Sequence, residues 1–357
     1  MAYVLPEKLR NIVPYAPGGE GVPVRLDANE SFLAPSGEIW EEILERIAAL
    51  KLNRYPDMLA GRLLALAGAR YGVSPDLLTG GCGSDELIGL IFTHLLSPGD
   101  TCAFLMPDFS MYEVYANQSG VKGIDVGADL YAKQRLPGEE DSFVDTVIAR
   151  VKKSGAKLFI LSNPCNPTSL LIGREEMRRI HDALPDVLLI SDEAYMEFAR
   201  EAGSLLSLVE KSDHLIVLRT CSKAFAMAGI RLGFAAAPRT ITNALRAVKA
   251  PYNLNVFTQA AGEVLFSHPE YLDRCIETII ASREALYAMV SQIAREKGWE
   301  TDAPQTNFVL LRTGRDRKAA EYLKERGISV RTLSCGIRIT AGSETENAAV
   351  VAALREF

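Results

Sequence analysis

Four short runs of β-branched and aliphatic residues, at 102–106, 158–162, 187–191 and 215–220, punctuate the middle of the chain, and segments with apolar residues at helical spacing (109–119, 142–153 and 173–184) lie between them. Runs that are apolar at every position fit strands covered on both faces, so the alternation predicts a mostly parallel sheet held between two helical layers. In such a sheet ligands collect where the strands end. Upstream, 39–50 and 59–71 read as helices, and 84–96 as a third with Ser84 as its cap and Ser97-Pro98-Gly99 as its stop. Downstream, 230–237 reads as one more strand and a long helical pattern follows Pro269 to about 297. Strands at 306–312, 328–331 and 336–340, with helices at 317–326 and 344–355, then suggest a smaller α+β unit. Residues 1–36, broken by Pro6, Pro14, Pro17, Pro23 and Pro35, hold one strand-like piece at 22–26 and read as an arm that orders on another domain or subunit. The expected division is an N-terminal arm or small-domain segment at 1–36, a large domain at 37–264 and a small domain at 265–357.

Composition narrows the function classes. With 357 residues, 48% hydrophobic and 24% charged, the chain is an ordinary globular sequence, long enough for two domains. Its net charge of -6 argues against a nucleic-acid surface, which needs clustered positive charge. The opening MAYVLPEKLR lacks the apolar run of a signal peptide and no stretch reaches membrane-span length, so a cytoplasmic protein without a membrane partner is expected. Six scattered cysteines form no CxxC pair and four histidines show no metal-ligand spacing, so neither a disulfide framework nor a metal site is expected.

The candidate chemistry sits at the strand ends. Lys223, delivered by the 215–220 run into the small residues of TCSKAFAMAG, is either a surface charge on a turn or an amine held for covalent work with a carbonyl. Asp192, in Asp192-Glu193-Ala194-Tyr195, closes another buried run, and a carboxylate there needs a cation. Two prolines in Asn163-Pro164-Cys165-Asn166-Pro167-Thr168 hold the Asn166 amide in one direction. Gly80-Gly81-Cys82-Gly83-Ser84-Asp85 precedes a helix, where free N–H groups favour a phosphate; a plain tight turn is the other reading. A nicotinamide fold fits poorly, because Glu86 stands where a third glycine would be. If the cation that Asp192 wants is the protonated ring nitrogen of pyridoxal 5'-phosphate, the pieces acquire roles. Lys223 forms an imine and shuttles a proton, Tyr195 and Asn166 contact the ring oxygen, and Ser222, Arg231 and the Gly83-Ser84-Asp85 turn hold the phosphate.

Asn-Pro-x-Asn-Pro-Thr, Asp-Glu-Ala-Tyr and Ser-Lys-x-x-x-x-x-Gly-x-Arg, in this order, resemble the fold type I pyridoxal phosphate aminotransferases. Within that group, LDANES, LNRYPD, GCGSDE, PDFSMY, SDEAYMEF, LRTCSKAFAMAGIRLGF and IRITAGS are most similar to histidinol-phosphate aminotransferases. The resemblance implies an α/β fold with a large, mostly parallel sheet and a smaller α+β domain. It implies transfer of an amino group from histidinol phosphate or a related amino acid to a 2-oxo acid such as 2-oxoglutarate. Further roles come with it: Phe109 against the face of the ring, Tyr55 reaching the cofactor phosphate of a neighbouring subunit in a homodimer with shared sites, and Arg338 on the substrate carboxylate. Tyr15 and Arg331 would line the substrate end, where the histidinol-phosphate enzymes hold a distal phosphate. A decarboxylase of a phosphorylated amino acid, similar to threonine-phosphate decarboxylase, and an aminotransferase for aromatic or other amino acids share the scaffold. Two departures stand out: Ser169 occupies a position where the family often has glycine, and the stretch from Arg331 to Arg338 is short.

Overall fold

The computed structural model describes residues 3–4, 21–127, 130 and 140–357. They build two sheets. Strands β1 (Val24–Leu26), β2 (Leu78–Cys82), β3 (Thr101–Phe104), β4 (Lys122–Asp125), β5 (Leu158–Ser162), β6 (Leu188–Asp192), β7 (Leu215–Thr220), β8 (Leu232–Ala236), β9 (Glu300–Thr301), β10 (Phe308–Arg312), β11 (Ile328–Leu333) and β12 (Gly336–Thr340) follow in chain order. Seven form the large sheet in the order β2-β8-β7-β6-β5-β3-β4, and five form the small one in the order β1-β11-β12-β10-β9. In the large sheet β8 runs antiparallel to β7 and β2, and the remaining pairs are parallel.

Why the central strands are apolar throughout is visible in their packing. Alternate residues of a strand point to opposite faces. Leu158 and Ile160 of β5, with Ile216 and Leu218 of β7, pack under the helices Gly83–His94 and Met111–Ser119. Phe159, Leu161, Leu215 and Val217 pack on the other face with the helices Gly61–Tyr71, Arg174–Ala183 and Val256–Ser267. The 29-residue helix Pro269–Lys297 spans about 43 Å at 1.5 Å per residue. Its first half, with Leu272 and Ile276, joins that core; its second half, with Leu286, Val290 and Ile293, packs under the small sheet.

Three strands escape the sequence pattern: β9 is only two residues long, and the other two are missed for opposite reasons. β2 reads LTGGC and carries too little side chain to show a period, while β4 is an edge strand whose residues are mostly exposed. The expected Ser84 cap is corrected. The helix starts at Gly83 and Cys82 occupies the cap position without a side-chain cap bond of its own; Glu86 accepts the Cys82 N–H at 2.5 Å and the Arg231 carbonyl accepts that of Gly83 at 2.9 Å. The strand in the arm, β1, pairs in parallel with β11 about three hundred residues later, Val24 opposite Ile328.

Candidate active site

β6 and β7 are neighbouring parallel strands, with Asp192 in register with Leu218, so their C-terminal ends bring Asp192 and the turn carrying Lys223 to the same edge of the large sheet. Asp192 is 4% exposed. It accepts the Tyr112 hydroxyl at 2.7 Å and the Ala194 N–H at 3.2 Å, and neither partner is a cation. Burial therefore pushes its pKa up to about 6, against the pull of those two hydrogen bonds. A buried acid in that state fits a protonated ring nitrogen, which would restore the missing positive partner.

The half-buried Lys223 donates from Nζ to the Ala28 carbonyl at 3.0 Å. Its pKa is lowered to about 8, first by burial and then by the positive charge of Arg338. An amine that sheds its proton near neutral pH can add to a carbonyl and can accept a proton, which the surface-charge reading would not need.

The walls of the slot are tied to one another. The Tyr195 hydroxyl accepts Asn29 Nδ2 at 2.8 Å, which leaves its own proton for a further acceptor. Asn166 donates its N–H to Ser162 Oγ at 2.9 Å, and Ser162 in turn donates its hydroxyl to Asp108. Asp108 also accepts the Phe109 N–H at 2.7 Å and the Ser162 N–H at 2.9 Å, so one carboxylate holds both the Phe109 turn and the Asn166 loop; burial pushes its pKa up to about 8. Phe109 stands edge-on to Tyr112, ring centres 5.5 Å apart.

At the other end lies an anion cradle. Arg231 donates to Ser222 Oγ at 3.2 Å and sits 3.7 Å from Asp85. Gly83 has φ +76°, and a Cβ there would lie 2.6 Å from Arg231 Nη2; a Cβ on Gly233 would lie 2.4 Å from the Ser84 nitrogen. Gly233 lets the helix start lie directly against β8, and Gly83 supplies the left-handed turn beside the Arg231 guanidinium. The first-turn N–H groups beyond Gly83, whose own N–H meets the Arg231 carbonyl, together with a guanidinium and the Ser222 hydroxyl suit a phosphate.

Arg338, from the small sheet, closes the site. It is 8% exposed and donates at 2.6 Å both to Asn166 Oδ1 and to the Asp27 carbonyl, with its guanidinium 5.3 Å from the Phe308 ring centre. Arg331 lies directly across the β11–β12 pair from Arg338, hence on the same face. The short stretch between them is a tight hairpin in which Leu333 faces Gly336. Tyr55 is 81% exposed and stacks on Tyr252 at 4.5 Å. Tyr15 lies outside the described residues.

Three contributors were not singled out in the sequence. Asn29 bonds Tyr195, Thr340 and, through its carbonyl, Asn307. Tyr112 is the hydrogen-bond partner of Asp192, and Asp108 anchors the two walls. All three sit inside segments already noted as motifs, LDANES and PDFSMY, which was the available signal.

The family model for aminotransferase class I and II matches residues 22–354. The histidinol-phosphate aminotransferase of Clostridium novyi (strain NT) is 34% identical over 350 residues, covering 96% of this chain and 94% of its own. The crystal structure of histidinol-phosphate aminotransferase from Sinorhizobium meliloti in complex with pyridoxal-5'-phosphate superposes with a TM-score of 0.82 at 25% identity, over 94% of this chain and 90% of that one. L-threonine-O-3-phosphate decarboxylase from Porphyromonas gingivalis shares the fold, with a TM-score of 0.78 at 20% identity over 94% of this chain and 99% of that one.

Proposed function

The chain belongs to the class I and II aminotransferase family and is a pyridoxal-phosphate-dependent aminotransferase, and from that premise we propose that it moves an amino group between histidinol phosphate and 2-oxoglutarate. The observation that carries the choice of donor is the pair Arg331 and Arg338, side by side across two strands. In histidinol phosphate a phosphate ester stands where an amino acid has its carboxylate, and two guanidinium groups suit a doubly charged head better than one does.

Bound pyridoxal phosphate supplies an electron-withdrawing ring that lets the Cα–H bond of the donor ionise. The residues of this chain do the rest. Asp192 keeps the ring nitrogen protonated, and Tyr112 keeps Asp192 in place. Lys223 is the amine that would hold the cofactor at rest, and its Nζ, once displaced by the donor, would accept the Cα proton and deliver it to the cofactor carbon on the other side of the amino nitrogen. The Tyr195 hydroxyl and the Asn166 amide meet the ring oxygen, and Phe109 covers the ring face. Ser222, Arg231 and the Gly83, Ser84 and Asp85 turn receive the cofactor phosphate. Arg338 holds the anionic head of each substrate in turn, so both half-reactions use one site. The reading extends to a homodimer in which Tyr55 reaches the cofactor phosphate of the second copy. The exposed apolar side chains Trp40, Leu44, Leu52, Tyr55, Met58 and Phe257 support it, and a single-chain mass in sedimentation would contradict it.

An absorbance scan tests the donor. Enzyme loaded with cofactor should show a band near roughly 420 nm, and L-histidinol phosphate added without a 2-oxo acid should move it to roughly 330 nm. A band that stays in place with histidinol phosphate but moves with another amino donor removes histidinol phosphate from the assignment. Release of CO2 without need of an acceptor would favour the decarboxylase instead.

A further inference from the structure

Ser169 follows the Asn166 loop with φ +63°, a backbone conformation that L side chains rarely adopt and that glycine takes freely. The residue is 2% exposed. What the chain gains by placing serine there is a hydroxyl in the one spot where the loop meets the approach to β10. Ser169 Oγ accepts the N–H of Gln305 at 2.9 Å and that of Thr306 at 3.1 Å, and lies 2.6 Å from Thr306 Oγ1. Thr306 Oγ1 in turn donates to the Phe308 carbonyl at 3.3 Å. With two N–H groups already donating to it, Ser169 spends its own proton on Thr306 Oγ1, so every donor in the chain of bonds has an acceptor.

The two segments joined this way are two of the three supports of Arg338, the third being the Asp27 carbonyl. The loop carries Asn166, whose Oδ1 takes one arm of the guanidinium, and the strand entered at Phe308 carries the ring beside it. We propose that Ser169 is a positioning residue for Arg338, its hydroxyl clamping the Asn166 loop to the start of β10 so that the guanidinium is held ready for the anionic head of the substrate. The proposal rests on the aminotransferase reading of the site only for its kinetic consequence. The clamp itself has a readout that needs no turnover.

Ser169→Gly removes the hydroxyl while relieving the backbone, so the variant is expected to fold, and Thr306→Val removes the other hydroxyl at constant shape. In hydrogen exchange on the cofactor-loaded enzyme, the Thr306 amide of Ser169→Gly should exchange roughly three- to tenfold faster, the worth of one neutral hydrogen bond. The Gln305 amide should change less, because it also donates to the Ser169 carbonyl at 3.2 Å. KM for both histidinol phosphate and 2-oxoglutarate should rise by a similar roughly three- to tenfold with kcat nearly unchanged. Thr306→Val should move both in the same direction, and the double variant should fall short of the sum of the two. Unchanged Thr306 exchange overturns the clamp, and faster exchange with unchanged KM overturns its role in positioning Arg338. A wild type that fails to transaminate histidinol phosphate while the exchange difference persists supports the clamp and removes only the proposed donor.

Discussion

Asp192 and Glu193 are consecutive carboxylates, both buried, yet they live in opposite electrostatic settings. Glu193, fully buried, meets Arg219 at 2.8 Å and also accepts the Ser204 hydroxyl and the Leu205 N–H at 2.8 Å each. Arg219, 1% exposed, also binds Glu197 at 3.0 Å and Glu201 at 2.9 Å, and its guanidinium lies 5.4 Å from the Tyr71 ring centre. Arg219 gives these acids a cation from within the chain, while its own Nε and Glu197 Oε2 are buried without a hydrogen-bond partner. Asp192 faces the other way and has only a hydroxyl and an amide N–H, with no cation. The difference teaches where a ligand belongs: a buried charge satisfied within the chain is structural, and one left without its opposite is reserved for something that arrives. The same strands serve both, since Arg219 ties β7 to the residue after Asp192 four positions before the chain delivers Lys223.

The contrast can be broken from either side. The largest effect is expected at Lys223→Ala, which should leave no measurable turnover while the thermal unfolding midpoint hardly moves. Ordinary multiple-turnover kinetics in that variant would remove Lys223 from the reaction. Next comes Arg219→Met, which strands three carboxylates, Glu193, Glu197 and Glu201, around an apolar side chain. Leaving buried charge uncompensated costs about 3–5 kcal/mol, so denaturant titration should show a loss of that size. A loss under about 1 kcal/mol would mean the cluster is no more than a surface-type ion pair.

Asp192→Asn sharpens the comparison because its two readouts run in opposite directions. Turnover should fall roughly 10²-fold as the charge beneath the ring is lost. Stability of the cofactor-free protein should rise. The folded pKa of Asp192, about 6, lies above its ordinary value of 3.8, so the fold favours the protonated acid, and wild type pays for ionisation as pH rises. The substitution should therefore be neutral below pH 4 and should stabilise increasingly between about 4 and 6. Above that the gain levels off at no more than about 3 kcal/mol. Thermal unfolding across that range checks the sign; a variant less stable than wild type at pH 7 would show that Asp192 is not an unsatisfied charge.

Much of the fold and site was legible because it is written locally. Asp192, Asn166 and Lys223 each end or follow an apolar run, and parallel strands with helical crossovers must bring their C-terminal ends to one edge, so three distant motifs predict one place. Ser84 misled because a serine before an apolar helical run is the usual cap, whereas this helix begins one residue earlier, at Gly83, with Cys82 at the cap position. Arg219 read only as part of a strand, since nothing in LIVLRT says that three acids from the segment after β6 will close on it.

What the sequence by itself determined is the set of strands and helices around the large sheet and the chemical identity of the groups at its edge, because hydrophobic period and short motifs are properties of neighbours in the chain. Only the tertiary structure decided which of those groups are satisfied and which are left open. Asn29 reaches Tyr195 across 166 positions and Thr340 across 311, and Arg338 meets Asn166 across 172. Such contacts come from how two sheets settle against each other, and the burial that raises the pKa of Asp192 and lowers that of Lys223 exists only once they have.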